Sequence, residues 1–185
     1  MTDNPDPLPR SVPAVVLIHQ EGVVGVIALV GLSLRAEGVL GGLAPRGALA
    51  VSVLVGLGTG VICAATVWAL RRFPPVAELE KWQRHMVHGW SITDAATVAV
   101  FSGLAEEALI RALLQPLIGM LPAAVLFAAL HFVPDRRLWL WPVLACLLGV
   151  FLGLLFEHGG YPAAAAAHVA INAVALLRLR PSAAD

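Results

Sequence analysis

The sequence predicts an all-α fold, a polytopic transmembrane helix bundle of about six spans with one interfacial amphipathic helix. Three observations carry this. Of 185 residues, 59% are hydrophobic and 13% charged, with a mean hydropathy of +0.84; a soluble domain lies near half apolar and a quarter charged. Apolar runs of roughly 20 residues, long enough to cross a bilayer as helices, recur along the chain. Between two of them, apolar residues return every three or four positions, which is the period of one helix face. The length suits a single domain.

Residues 1–12, opening "MTDNPDPLPR", are polar and proline-rich and are expected to form a disordered tail. The tail does not resemble a signal peptide, because its charge is mixed and Glu21 interrupts the apolar run behind it. That run, 13–34, is the first expected span and carries His19, Gln20 and Glu21. The second, 47–70, has no charge. The interfacial helix follows in "RRFPPVAELEKWQRHMVHGWS", where Val76, Leu79, Trp82, Met86 and Trp90 form its apolar stripe. Ser91 followed by Asp94 reads as a capping box for the third span, 92–114. Spans over 120–133, 138–156 and 161–178 complete the set, and Pro122 marks a tight start to the fourth. Residues 179–185 form a C-terminal tail, and 13–91 group as two spans plus the interfacial helix.

Basic residues orient the bundle. With the N-terminus inside, the inner segments hold Arg10, Arg71, Arg72, Lys81, Arg84, Arg136, Arg137, Arg178 and Arg180, and the outer segments only Arg35 and Arg46. This bias predicts a multi-pass protein of the cell (inner) membrane with both termini cytoplasmic. Net charge is zero, so there is no basic surplus for nucleic acid. Cys63 and Cys146 lie in apolar runs and read as small core residues. Gly56 and Gly60, and Gly149 and Gly153, are paired at the spacing that lets helices approach closely, and "AAAAA" at 163–167 gives a slim face before His168.

Ionisable residues inside a span each cost about 2.5–3.5 kcal/mol and are functional candidates for that reason. Three clusters stand out. In "GLAEEALIR", Glu107 and Arg111 are four apart and can pair on one helix face, while Glu106 is rotated by about 100° and stays free to accept a proton. A structural ion pair needs only one carboxylate, so the second is the informative one. In "FAALHF", Phe127 can wall one side of the His131 ring. In "HVAIN", His168 and Asn172 present two donors toward one point, an arrangement that can stabilise an oxyanion. Glu21 with His19 is a weaker candidate, and Glu157 with His158 is expected to touch water. HExxH, the intramembrane serine and aspartyl motifs, the P-loop and the dinucleotide fingerprint are all missing.

"EEALIR", "FAALH" and "HVAIN" fit EExxxR, FxxxH and HxxxN in that order. On these residues the chain resembles the CPBP family, which comprises CAAX prenyl endopeptidases of the Rce1 kind and bacteriocin-processing (Abi) proteins; the resemblance covers roughly 92–178, the expected catalytic core. It implies an intramembrane endopeptidase that cleaves a membrane-associated peptide or protein, of CAAX type or carrying a C-terminal sorting signal. By the resemblance, Glu106 activates a water that His131 also holds, Glu107 pairs with Arg111, and His168 and Asn172 stabilise the oxyanion. The family's aromatic before the arginine and glycine after it are here Ile110 and Ala112, which bears on cleft shape. Zinc stays open: Glu106, His131 and His168 can supply a His₂Glu shell, and the alternative is a metal-free, glutamate-activated water, which the oxyanion pair favours. A non-proteolytic role in the same family, as a bacteriocin self-immunity or membrane scaffold protein, is the competing function.

Overall fold

The computed structural model describes residues 11–180, so residues 1–10 and 181–185 of the two expected tails, and with them Arg10, lie outside the described residues. Among the described residues the chain is helical, and its one extended pairing is an isolated bridge between Pro45 and Gly160. The helices are α1 (Ala14–Ser33), α2 (Gly38–Gly42), α3 (Leu49–Ala69), α4 (Pro74–Met86), α5 (Ile92–Glu107), α6 (Gln115–Ile118), α7 (Met120–Leu130), α8 (Leu140–Gly159) and α9 (Tyr161–Leu179), with a π-helical stretch, Ala108–Leu114, joining α5 to α6. The capping box of α5 is present: Asp94 N donates to Ser91 Oγ at 3.0 Å and Ser91 N donates to Asp94 Oδ2 at 2.8 Å.

Among the described residues, four helical stretches are long and apolar enough to cross a membrane: Ala14–Ser33, Leu49–Arg72, Arg136–Gly159 and Tyr161–Leu179. Two of the six expected spans differ from this pattern. Residues 92–114 are α-helical only to Glu107 and then π-helical. A π turn bonds i to i+5 and so re-aims every side chain that follows it, a distortion common at functional sites. The segment expected over 120–133 is helical only over Met120–Leu130, about 16 Å of rise, too little to cross a bilayer alone. Gly119 sets its start with φ +89°, a backbone state suited to glycine. Pro134, three residues past His131, disfavours further helix.

The expected stripe on the interfacial helix also changes. α4 ends at Met86, so Trp90 is not on it; Trp90 follows a turn at Gly89 (φ +86°) and its Nε1 donates to Val12 O at 2.8 Å. The stripe packs on the bundle: Leu79 is buried and Trp82 meets Trp141 edge-on at 5.3 Å.

Helix α9 is the centre of the bundle, because its side chains are small. Gly56 and Gly60 of α3 lie so close to it that a Cβ on either would strike the backbone of Ala163 or Ala167. From α5, Gly103 comes equally near, with Val169 N 2.7 Å from where its Cβ would be. Gly149 packs α8 on Ala124 of α7. Both sequence-predicted glycine pairs are therefore packing devices. α1 lies on α5, with Gly25 against Ala105.

The basic residues separate to two ends. Arg84 and Arg180 join α4, the turn after it and the C-terminus of α9: Arg84 Nη1 donates to Leu179 O and Arg180 Nε to Trp90 O. Arg71, Arg72 and Lys81 line a groove at this same end. At the other end, Arg46 Nη1 donates to Glu157 O at 2.8 Å and Arg35 Nη1 to Leu113 O at 3.3 Å. Asp135, in the turn behind His131, accepts hydrogen bonds from Arg137, which hold its carboxyl below the usual carboxylate range.

Candidate active site

The site is built on four elements. α5 delivers Glu106 and Glu107 from its last turn, and the π stretch delivers Arg111. α7 ends on His131, and α9 places His168 and Asn172 one turn apart at mid-helix.

Glu107 is its hub. The side chain is fully buried and both oxygens are bonded: Oε2 accepts from Arg111 Nε at 3.1 Å, and Oε1 accepts from His168 Nδ1 at 2.9 Å. The expected Glu107–Arg111 pair is present, and the bond to His168 is one that helix spacing within a single element cannot predict. Arg111 is equally buried. Its Nη1 donates to Gln115 Oε1 at 3.4 Å and its guanidinium lies 5.3 Å from the Phe127 ring. Gln115 in turn donates to Gly153 O at 3.3 Å, which ties the charged pair to α8. A buried ion pair is costly unless its remaining donors and acceptors are occupied; here Gln115 takes Nη1 and the Phe127 ring faces the guanidinium, while Nη2 is buried with no hydrogen-bond partner.

Because a carboxylate can only accept, Glu107 fixes the proton of His168 on Nδ1 and leaves Nε2 as the free ring nitrogen. His131 is fixed in the same way: Nδ1 donates to Phe127 O at 2.8 Å, which frees its Nε2. The Phe127 ring stands between the two histidines, 4.6 Å from His131 and 5.6 Å from His168. Phe127 thus walls both imidazoles, where the sequence suggests only one. Asn172 Nδ2 donates to Ser102 Oγ at 2.8 Å, so one N–H is committed to α5 and the second remains.

His131, His168 and Asn172 line one cavity of about 160 Å³. Leu79 and Gln83 of α4 and Trp141 of α8 are walls of the same cavity, so α4 covers the site from the basic end. Periodicity marks Leu79 as apolar surface, but neither Gln83 nor Trp141 carries a sequence signal for this role. Glu106 is half-buried and is not a wall of this cavity; it lies within electrostatic reach of His168 and against Glu21 of α1. Glu21 is buried, whereas His19, its expected companion, is exposed and bonded to Val15 O. Glu157 and His158 are exposed, as expected. Ile110 and Ala112, the two departures from the family pattern, are buried in hydrophobic clusters and do not line the cavity.

Among the described residues, no three His, Cys, Asp or Glu side chains stand together as a metal shell. No step below runs through a metal.

Residues 88–174 match the family model described as type II CAAX prenyl endopeptidase Rce1-like. An uncharacterized protein of Bacillus subtilis (strain 168), YpbD, is 36% identical over 91 residues, which are 49% of this chain and 48% of that protein. The match thus spans about half the length of this curated relative. No solved structure matches the chain. All six sequence-predicted site residues lie inside the matched stretch, and over residues 88–174 this membrane helix bundle is similar to the Rce1-like CAAX prenyl endopeptidase family.

Proposed function

We propose that the protein is an intramembrane endopeptidase that cleaves a membrane-associated peptide. The observation that carries this reading is the cavity on which His131, His168 and Asn172 converge from two helices, with Glu106 beside His168 and Glu107 fixing the His168 tautomer.

Glu106 accepts a proton from a water that His131 Nε2 also holds, and the water oxygen attacks the scissile carbonyl. General-base catalysis needs hydrogen-bond reach, which tightens when substrate binds. The carbonyl oxygen becomes an oxyanion facing the Asn172 N–H and His168. His168 Nε2 has no proton in the neutral tautomer set by Glu107, so it donates as an imidazolium that has taken a proton from solvent before the attack, and the buried Glu107 carboxylate stabilises that imidazolium. Glu106 then passes its proton to the departing amine. The substrate approaches under α4, from the end where the basic residues gather. By the basic-residue bias this end is cytoplasmic, which places the C-terminus of α9 there as well. An apolar peptide, with or without a lipid, suits the Leu79 and Trp141 walls; CAAX-type and C-terminal sorting-signal substrates both meet that description.

The test compares the termini of membrane proteins in cells carrying the wild-type chain or Glu106→Ala. A peptide left uncut only in the variant names the substrate and the side of cleavage. If His131→Ala, His168→Ala and Glu106→Ala all leave every terminus and every cellular phenotype as in the wild type, the endopeptidase reading falls. If a phenotype persists through all three with the protein inserted, the scaffold or self-immunity role takes its place.

A further inference from the structure

We propose that the basic groove at the end of α3 binds the phosphate of an anionic phospholipid, which bridges α3 to α4 while its acyl chain lies along the outer face of α3.

The first observation is charge without a partner. Arg71 and Arg72, in the turn that ends α3, and Lys81 and Arg84, on α4, line one groove of about 630 Å³. Glu80, the carboxylate in its wall, accepts from Arg84 Nη2 at 3.0 Å, and Arg84 Nη1 is spent on Leu179 O. Among the described residues, Arg71, Arg72 and Lys81 have no carboxylate within ion-pair distance. The second is how these cations are held. The Arg71 guanidinium lies 4.5 Å from the centre of the Trp68 ring and that of Arg72 5.3 Å from the Phe73 ring. A guanidinium stacked on a ring keeps its edge, with the N–H donors, free to fork onto a phosphate. All three cations are exposed and so within reach of a ligand.

The third is what leads to the groove. Leu54, Gly58, Val61, Ala65 and Trp68 follow one another at steps of three and four, which makes them a single exposed face of α3 ending at the basic turn. The face rises about 21 Å. Gly58 leaves open space along it. The opposite face, with Gly56 and Gly60, is committed to α9. An apolar strip that ends at three cations matches a molecule with a hydrocarbon chain and an anionic head. A zwitterionic head would bring its ammonium against the same cations, and an acidic peptide would leave the strip unused.

The phosphate joins two elements that little else joins at this end: the turn after α3 and the exposed side of α4. Leu79 and Gln83 of α4 are walls of the catalytic cavity, so a lipid held here steadies that wall. Only this last step rests on the endopeptidase reading.

The experiment uses the full-length chain in an uncharged detergent. Native mass spectrometry follows titration with phosphatidylglycerol or phosphatidylcholine, and hydrogen–deuterium exchange over residues 74–86 reads the hold on α4. The wild type should bind one phosphatidylglycerol in clear preference to phosphatidylcholine, and exchange in α4 should slow as it binds. Arg72→Gln and Lys81→Gln should each weaken binding about fivefold, and the two together about 30-fold, the size of one basic residue's attraction to an anionic headgroup taken once and twice. Arg72→Lys should restore most of the loss. Arg136→Gln removes the same charge outside the groove and should leave binding near wild type. Equal affinity for the two lipids, a loss in Arg136→Gln as large as in Lys81→Gln, or α4 exchange that ignores the lipid overturns the proposal. So does displacement of the lipid by an equal concentration of glycerol phosphate, which assigns the groove to a free phosphate compound, or of a soluble polyglutamate peptide, which assigns it to an acidic protein. Binding is read without any substrate, so loss of the endopeptidase reading and loss of this one are separate outcomes.

Discussion

Glu107 and His168 are 61 residues apart and meet at 2.9 Å, Oε1 to Nδ1, in the interior of the bundle. The contact links the last turn of α5 to the middle of α9, and it makes the second of two adjacent glutamates an orienting group for a histidine. Arg111 on the other oxygen keeps that glutamate charged and still.

The adjacent glutamates should therefore fail in different ways. Glu107→Gln leaves the Arg111 guanidinium buried without its counter-charge, and breaking such a pair costs about 3–5 kcal/mol. Thermal unfolding in detergent should show that loss. Glu106→Gln removes no hydrogen-bond partner of Arg111 or His168, so its unfolding should stay near wild type while cleavage is lost. Equal stability of the two variants would contradict the division of roles.

Asn172→Ala should lower kcat by about 10²–10³-fold, the size expected for one oxyanion donor, and leave KM unchanged. Ser102→Ala removes only the group that Nδ2 binds and should cost much less. Steady-state kinetics of the pair would separate an oxyanion donor from a residue that only joins α5 to α9, since a joining role predicts similar losses.

Gln83 lines the cavity from α4, and the cavity holds about 160 Å³. Gln83→Trp should fill much of it. The expected result is a raised KM or no turnover, with normal insertion and unfolding temperature, because α4 is at the rim of the bundle. Unchanged kinetics would show that substrate does not pass beneath α4.

Gly60→Leu and Gly103→Leu should both prevent assembly. Each would drive a side chain into the backbone of α9, at Ala167 and at Val169 respectively, and backbone cannot yield as a side-chain tip can. Gly58 has open space beside it, so Gly58→Leu on the same helix as Gly60 should express and insert normally. Size-exclusion profiles in detergent distinguish them.

Metal dependence can be measured directly. With no three-ligand shell among the described residues, the purified active chain should carry less than one equivalent of zinc, and chelation should leave activity intact. One tightly held zinc per chain, with activity lost on its removal and restored on its return, would require Glu106, His131 and His168 to move together.

Hydropathy, glycine spacing and the three polar clusters were enough to read a membrane helix bundle and to single out six candidate site residues from the chain. These features follow local rules: a bilayer imposes a length on apolar runs, and a four-residue step places Glu107 beside Arg111 whatever surrounds them. The capping box at Ser91 and Asp94 is local in the same sense. What the tertiary structure decided was every relationship between helices. The π stretch after Glu107, the shortness of α7, the closure of α4 over the cavity and the pairing of Glu107 with His168 all depend on what packs opposite. Glu21 is the clearest case. In the sequence it is one carboxylate in an apolar run; Glu106 is 85 positions away, and the packing of Gly25 on Ala105 brings α1 against the end of α5 that carries it.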